Sequence, residues 1–259
     1  MNIPVLYEDD EVVVINKPAG LVVHPDGRTK EETLEDWIKS EYPKIAEARV
    51  GEPIILTGGE EIQKPGIVHR IDRDTSGVLI ITKTQESFLN LKSQFQARTI
   101  KKNYKAIVYG GFKIPHGIID KPIGRSTSDF RKWSAEYGAR GELREATTEY
   151  FVKGEGKAIA QYEGPSKKKK GDETIILSYL DVFPQTGRTH QIRVHLKSIG
   201  HSILGDKVYA PNSPLALGFT RTALHASSVT FKSLKGEEKT IEAPLPEDFK
   251  HALAELGLV

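Results

Sequence analysis

The sequence predicts an α+β fold built around a large, mixed, mainly antiparallel sheet with flanking helices. Short, β-branched segments bounded by glycine or proline outnumber helical segments. They often follow one another directly, without the regular strand–helix alternation that a parallel sheet requires. The 259 residues are 38% hydrophobic and 28% charged, a composition that supports a packed core and argues against disorder. We therefore expect one domain over residues 1–259, with residues 113–146 as an insertion of hairpins or mobile chain.

The first half of the chain alternates strand and helix signals. Residues 4–25 predict two short strands, "EVVVINKP" and "GLVVHP", joined by a turn. "TLEDWIKSEY" predicts a helix with Thr33 as its N-cap, and residues 48–66 predict an exposed loop. "VLIIT" predicts a buried strand, which is followed by the helix "QESFLNLKSQFQ" with Thr84 as its N-cap.

The second half of the chain is richer in strands. "NYKAIVYG", "ATTEYFVK", "TIILSYLDVF" and "TALHASSVTF" each predict a strand. "THQIRVHLKSIG" predicts a helix that ends where Gly200 takes the position after the C-cap, and "PEDFKHALAEL" predicts a terminal helix. No internal repeat of fixed period is present.

Composition excludes several classes of protein. The chain has no cysteine, which rules out disulfides and thiolate metal sites and fits a cytoplasmic location. No apolar stretch approaches the length of a membrane helix, and the N-terminus lacks the pattern of a secretory signal. The net charge of +2 does not by itself demand a nucleic-acid partner.

The distribution of charge is more informative than its sum. Residues 92–105 contain five basic residues and no acidic one: Lys92, Arg98, Lys101, Lys102 and Lys105. Such a stretch beside apolar elements can line a groove that attracts phosphates, although an ordinary solvated face has the same composition. The lysine run at 167–170 is interpreted as a solvated face.

The segment "VHRIDRDTSGVLIITK", residues 68–83, places acids and arginines at the start of a buried strand. If the chain is extended before Val78, the side chains of Arg70, Asp72 and Asp74 project the same way. A guanidinium beside a carboxylate keeps it ionised, and such a carboxylate can be a nucleophile, a base or a metal ligand. The alternative is a turn that opens the strand, with Thr75 and Ser76 binding backbone groups.

Cofactor motifs are weak in this sequence. Asp72 and Asp74 could hold Mg²⁺ as in nucleases, but Arg70 and Arg73 compete for their oxygens, and no His-Glu-x-x-His pattern is present. The glycine pairs at 58–59 and 110–111 form neither a Walker loop nor a dinucleotide fingerprint, and Ser76 lacks a nucleophile elbow. We therefore predict no metal and no nucleotide cofactor.

Two further groups of residues suggest chemistry. In "QTGRTHQIRVHLKSIGHSILGDKVY", residues 185–209, helical spacing lets His190, Arg193 and Lys197 share a face. A guanidinium so placed can be partly buried and reach a carboxylate bidentately, while the alternative is a surface helix with a basic side. Tyr104 lies within the basic "KKNYK", where its ring packs in the core or stacks on a base.

Together these motifs resemble the RluA family of pseudouridine synthases. Residues 69–77, "HRIDRDTSG", match the family signature His-Arg-Leu-Asp-x-x-Thr-Ser-Gly with Ile71 as the only departure. "KNYKAIVYG" resembles the family's second motif and "TGRTHQIRVHLKSIGHSILGDKVY" its third. The similarity runs from about Val5 to Phe249 and is weakest over residues 113–172.

The resemblance implies an enzyme that isomerises specific uridines in structured RNA, rRNA and/or tRNA, to pseudouridine without a cofactor. It implies the family fold with a central RNA-binding and active-site cleft, Asp72 as catalytic carboxylate, Tyr104 as active-site tyrosine and Arg193 as the arginine that pairs with Asp72. The small N-terminal RNA-binding domain of larger members is expected to be missing. Uridine and pseudouridine are isomers, which agrees with the lack of cofactor motifs.

RNA is expected to be held by basic side chains of the catalytic domain. The expected contacts are Arg70, Arg98, Lys101, Lys102, Arg188, His190 and Lys197, and Leu204 is expected to pack in the base pocket. The protein is expected to be a cytoplasmic monomer that does not bind membranes. Two alternatives remain at this point: an RNA-binding protein without catalysis, and a metal-dependent nuclease that uses Asp72 and Asp74.

Overall fold

The computed structural model describes residues 1–24, 31–55, 61–62, 64–127, 129, 132–135, 139–162 and 173–258. The lysine run at 167–170 lies outside them. The chain divides into two compact units. The first unit is Met1–Lys102 with Ala226–Pro244, and the second unit is Asn103–His225 with Leu245–Val259.

Strands predominate over helices in the described residues. In chain order the strands are β1 (Val5–Glu8), β2 (Val12–Lys17), β3 (Ile54–Ile55), β4 (Glu61–Ile62), β5 (Ser76–Thr82), β6 (Lys101–Tyr109), β7 (His116–Asp120), β8 (Ile123–Arg125), β9 (Trp133–Ser134), β10 (Arg140–Arg144), β11 (Thr147–Ile159), β12 (Thr174–Pro184), β13 (Leu224–Lys232) and β14 (Glu238–Glu242). The helices are α1 (Leu34–Glu41), α2 (Pro43–Glu47), α3 (Gln85–Gln96), α4 (Gln191–Ser198) and α5 (Glu247–Glu255). The main sheet is large, mixed and mostly antiparallel. The predicted α+β fold is thus confirmed.

The first unit is organised around the buried strand β5. Its strands follow the order β1-β2-β5-β13, with β14 paired to β13. All seven residues of β5 are buried, and Leu79 lies opposite Ile15 of β2 in an antiparallel register. Val12, Val14, Val78 and Ile80 share a core cluster with residues of α3 and β13. This continuous apolar run explains why β5 is buried along its whole length, from Ser76 onward.

The predicted helix starts of the first unit are confirmed. Thr33 caps α1 in a capping box, because its hydroxyl accepts from the Asp36 amide at 3.3 Å while Asp36 accepts from the Thr33 amide at 2.9 Å. Thr84 caps α3 in the same way, and its hydroxyl accepts from the Ser87 amide at 3.1 Å.

The second unit has its own sheet region and core. Its strands follow the order β6-β12-β11-β7, and Leu180 of β12 lies opposite Ala106 of β6. The core cluster draws on these strands, on α4 through Ile192 and Leu196, and on α5. Gly200 follows the C-cap of α4 with φ +86°, as predicted for the glycine that ends this helix.

One predicted strand is wrong. "GLVVHP" does not form a strand, and of its described residues only Val22 makes an isolated bridge, to Thr33. Its carbonyls have other partners: the ammonium of Lys17 donates to Leu21 O at 2.9 Å and the Leu34 amide donates to Val22 O at 2.8 Å. The hairpin partner of β2 is instead β1.

The segment 48–66, predicted as an exposed loop, contains strands, and so does the segment 113–146, predicted as hairpins or mobile chain. The described part of 48–66 includes the paired strands β3 and β4, and its ends are buried at Val50 and Gly66. The described part of 113–146 includes β7 at the edge of the main sheet and a small sheet in the order β10-β8-β9. No helix among the described residues is long and apolar enough to cross a membrane.

Candidate active site

Asp72 lies on a turn immediately before β5. The Thr75 amide donates to Asp72 O at 3.1 Å, which closes the turn, and Thr75 and Ser76 are buried. Of the two alternatives that the sequence leaves open, an extended chain or a turn that opens the strand, the structure has the turn, because this bond reverses the backbone after Asp72. Asp72 itself is partly exposed, so the turn presents its carboxylate at the start of a buried strand.

The turn is anchored by Lys17, a residue that the sequence did not single out. Lys17 is fully buried, and its ammonium donates to Pro18 O at 2.8 Å, Leu21 O at 2.9 Å and Arg73 O at 2.9 Å. Arg73 also donates from Nε to Gly20 O at 3.1 Å and pairs with Glu31 at 2.8 Å. Through these contacts Arg73 fastens the turn to Lys17, the last residue of β2, and to Gly20.

Other residues of the motif serve its packing. Gly77 has φ +111°, and a Cβ there would lie 2.1 Å from Ala226 O, so only glycine fits beside β13. The Ile80 amide donates to Nε2 of His69 at 2.9 Å, and the His69 ring stacks on Phe95. Burial, with a smaller contribution from the charge of Lys102, lowers the pKa of His69 to about 3, so the ring is neutral.

Arg70 differs from the anchoring residues because it is exposed. Its guanidinium lies close enough to His24 and Lys64 to affect both. Burial and then the charges of Lys64 and Arg70 lower the pKa of His24 to about 3, while burial and then Arg70 lower the pKa of Lys64. Positive charge is therefore concentrated beside the turn that carries Asp72.

The basic stretch at 92–105 is less uniform than its composition suggests. Lys92 pairs with Glu52 and Lys105 with Asp181, so these two serve local ion pairs. Burial lowers the pKa of Lys102, which is half-buried, to about 8. Arg98 and Lys101 are exposed, and Lys101 makes a loose pair with Glu238 at 3.7 Å. Arg98 and Lys101 are the members best placed to meet a polyanion.

Tyr104 and Leu204 both belong to the second unit. Tyr104 is on β6 opposite Val182, partly exposed, with its ring packed against the core cluster. Leu204 is fully buried, and its amide donates to Ile107 O at 2.9 Å. The structure therefore shows Leu204 as a core residue.

Arg193 is buried and pairs with Asp206. Its Nε donates to one carboxylate oxygen at 2.7 Å and its Nη2 donates to the other at 2.8 Å. The prediction that this guanidinium is buried and binds a carboxylate bidentately is confirmed. The carboxylate is one the sequence did not single out, since nothing in a Gly-Asp pair identifies a partner thirteen residues away.

The predicted basic face of α4 is not continuous. His190 precedes the helix as its N-cap with φ 56°, and its Nδ1 lies 2.9 Å from the Tyr209 hydroxyl. Arg193 is buried whereas Lys197, one turn later, is exposed. Arg188 donates to Glu145 O at 3.0 Å, which ties the loop before α4 to the chain before β11.

A buried hydrogen-bond network fixes the orientation of α4. His195 Nε2 lies 2.9 Å from Lys121 O, and its Nδ1 lies 2.9 Å from the Thr148 hydroxyl. Gln191 donates to the same Thr148 oxygen at 3.0 Å and accepts from the Thr186 hydroxyl at 2.6 Å. Burial lowers the pKa of His195, which keeps it neutral and able to accept at Nδ1. Arg193 is thus mounted on a helix that cannot easily rotate.

These neutral histidines predict a loss of stability in mild acid. The folded-state pKa values of His24 and His69 are about 3, below the ordinary value of 6.5, so protons bind preferentially to the unfolded chain. The contribution of these histidines to the free energy of unfolding should be fully present above pH 6.5. Below that pH the free energy of unfolding should fall by up to about 1.4 kcal/mol per pH unit for each neutral histidine. Urea unfolding at pH 6.5, 5.5 and 4.5 measures this slope.

Carboxylates whose folded-state pKa is lowered, such as those of Asp9 and Asp36, lose their contribution to stability only below about pH 5, where the unfolded chain begins to bind protons at its carboxyl groups. The slope between pH 6.5 and 5.5 therefore reports the histidines. His251 is exposed, and His251→Gln is the matched control that should leave the slope unchanged. A free energy of unfolding that stays constant from pH 6.5 to 4.5 would contradict the assignment of buried neutral histidines.

Comparison with known proteins agrees with these motifs. The model of the RNA pseudouridylate synthase family matches residues 11–198. An RNA pseudouridine synthase of Synechocystis sp. is 34% identical over 98% of this chain and 70% of its own length. One from Aquifex aeolicus is 37% identical over 96% of this chain and 72% of its own. The ribosomal large subunit pseudouridine synthase D of Zymomonas mobilis is 33% identical over 95% of this chain and 70% of its own.

Solved structures show the same fold. Human RNA pseudouridylate synthase domain containing 1 superposes with a TM-score of 0.68 at 21% identity, over 95% of this chain and 84% of that one. Human RNA pseudouridylate synthase domain containing 4 gives a TM-score of 0.66 at 24% identity, over 98% of this chain and 93% of that one.

Proposed function

The chain belongs to the RNA pseudouridylate synthase family, and from this premise we propose that Asp72 is its catalytic carboxylate, acting with Tyr104 and Arg193. The enzyme isomerises uridine in RNA to pseudouridine. The observation that carries the assignment is the anchored turn: Lys17 and the backbone of Thr75 hold Asp72 at the start of a fully buried strand.

The reaction needs little besides a well-placed carboxylate. The bond between N1 of uracil and C1′ of ribose breaks, the base turns, and C5 bonds to C1′. The C5 proton leaves to solvent and N1 gains a proton, so atoms and electrons balance without an oxidant or a second substrate. Positive charge that develops at C1′ is stabilised by a nearby carboxylate, as in glycosidases. An ionised Asp72 can also attack covalently or remove a proton from the sugar.

Tyr104 and Arg193 have different tasks in this proposal. The Tyr104 ring, partly exposed and backed by the core, packs against the detached base and assists removal of the C5 proton. Arg193 supplies a fixed positive charge to the reaction. The buried network around α4 supports this role, since it holds the Arg193 backbone in place.

Arg70 is proposed to contact RNA where the target base leaves its stack. A base within a helix or loop must be extruded before its glycosidic bond can be reached. Arg70 is exposed two residues before Asp72, and the neighbouring Lys64 adds positive charge that attracts phosphates.

The proposed substrate is ribosomal RNA. This is suggested by relatives named ribosomal large subunit pseudouridine synthase D in Zymomonas mobilis, Nitrosomonas europaea and Neisseria meningitidis, at 33–34% identity. The test separates large-subunit rRNA, small-subunit rRNA and tRNA from a deletion strain and treats each with purified protein. New pseudouridine in large-subunit rRNA is expected, and its appearance in tRNA alone would contradict this choice.

RNA binding is expected to depend on exposed cations of the first unit. Arg98→Ala and Lys101→Ala should each weaken binding to all RNA sequences and reduce the slope of log K against log salt by roughly one. Lys44→Ala, at an exposed lysine on α2, is the matched control and should leave the slope unchanged. Filter binding between 50 and 300 mM salt (roughly the useful range) measures the RNA affinity and its salt slope for each variant. Identical slopes in all three variants would show that residues 98–101 form an ordinary solvated face.

A further inference from the structure

Asp206 forms the centre of a buried polar cluster in the second unit. Its side chain is completely buried, and both carboxylate oxygens accept from Arg193, at 2.7 and 2.8 Å. One of these oxygens also accepts from the backbone amides of Val208 and Tyr209, each at 2.9 Å. Four donors therefore converge on one carboxylate whose backbone is fixed between Ile203 and Ala210.

The charge state of this cluster is defined. Burial by itself would raise the pKa of Asp206, but the hydrogen bond and charge of Arg193, with the two amides, lower it. The carboxylate is thus ionised and faces a guanidinium across a bidentate contact, the geometry with the strongest directional preference.

Tyr209 completes the setting of the guanidinium. The Arg193 guanidinium carbon lies 5.0 Å from the centre of the Tyr209 ring, within the range of a cation–π contact. The Tyr209 hydroxyl accepts from the Trp133 amide at 3.1 Å and lies 2.9 Å from Nδ1 of His190. The ring is therefore held by β9 on one side and by the residue before α4 on the other.

We propose that Asp206 is a positioning residue, which fixes the plane and rotation of the Arg193 guanidinium so that its charge is held in the one orientation that the reaction uses. This inference rests on the proposed role of Arg193 in the reaction. Nε and Nη2 both donate to Asp206, so this one carboxylate fixes two of the three guanidinium nitrogens. A guanidinium without this clamp has several rotamers, most of which place its charge elsewhere.

The test compares Asp206→Asn with Asp248→Asn. Asp248 makes a bidentate pair with Arg221 in the same unit, at 2.7 and 3.0 Å, so it controls for loss of an Arg–Asp pair as such. For folded Asp206→Asn, kcat on deletion-strain RNA should fall about 100-fold with KM for RNA nearly unchanged. Asp248→Asn should keep wild-type kcat. An Asp206→Asn enzyme that is folded and has the kcat of Asp248→Asn overturns the proposal.

A second arm tests whether Asp206 acts through Arg193. Arg193→Lys keeps the charge but cannot form the bidentate contact. In the Arg193→Lys background, Asp206→Asn should therefore lower kcat by a much smaller factor than it does in the wild-type background. An undiminished factor in the Arg193→Lys background overturns the proposal. If Asp206→Asn does not fold, it is replaced by Asp206→Glu, which retains the charge but moves it by one methylene. The same two comparisons of kcat, with Asp248→Asn and in the Arg193→Lys background, then decide.

These experiments also distinguish a failure of the proposed function from a failure of the proposed role of Asp206. A wild-type protein that makes no pseudouridine contradicts the proposed function itself. A wild-type rate in folded Arg193→Lys and Arg193→Ala contradicts the role of Arg193, and with it the proposal for Asp206.

Discussion

Asp72→Asn is expected to abolish pseudouridine formation, with a loss in kcat on the order of 10⁴ or more, as for other essential catalytic groups. Asparagine has nearly the same size but cannot carry the charge that a nucleophile, base or cation-stabilising group requires. The Asp72 main chain accepts from Thr75, a bond that the substitution leaves intact. The measurement is pseudouridine formed in RNA that lacks the modification.

Asp74→Asn is the internal control for this result. Asp74 lies on the same turn and is also partly exposed, so a general effect of lost charge should appear in both variants. We expect Asp74→Asn to retain substantial activity, and RNA affinity to survive in both. Circular dichroism establishes that each variant is folded. A folded Asp72→Asn that works at nearly the wild-type rate would remove this turn from the mechanism.

Arg193→Ala is expected to lose activity by a factor between that of Asp74→Asn and that of Asp72→Asn, roughly 10²- to 10³-fold in kcat. The substitution removes a guanidinium that we propose takes part in the reaction. It also leaves the buried Asp206 without its main counter-charge, which should destabilise the protein by about 3–5 kcal/mol. Denaturant unfolding and single-turnover rates on the folded fraction separate the two effects.

Arg221→Ala is the matched control for the stability effect. It removes the partner of Asp248, a less buried ion pair in the same unit, and should lower stability by less while leaving kcat intact. Equal losses of kcat in Arg193→Ala and Arg221→Ala would show that Arg193 acts only through stability.

Local signals in the sequence predicted most of the regular elements. The helices α1 and α3 begin at Thr33 and Thr84 because a hydroxyl can satisfy a free amide within the same turn, which is a property of neighbouring residues. The buried strand β5 follows from an uninterrupted apolar run. Gly200 ends α4 for an equally local reason.

Features that depend on distant partners were missed. "GLVVHP" has the composition of a strand, but its carbonyls are bound by Lys17 and Leu34. A lysine at position 17 would be expected at the surface, because the sequence alone does not show that three carbonyls surround its ammonium. The bidentate contact of Arg193 followed from its placement beside an apolar stripe, whereas the identity of Asp206 required the fold.

Conversion of uridine to pseudouridine releases the hydrogen at C5 of uracil, so release of tritium from RNA labelled at that carbon measures the reaction itself. Purified protein is incubated with such RNA from a deletion strain, and the nucleosides are then separated. Tritium is expected in water in an amount equal to the new pseudouridine, from wild type and Asp74→Asn, with none from Asp72→Asn. RNA that is bound or cut without release of tritium or formation of pseudouridine would contradict this expectation.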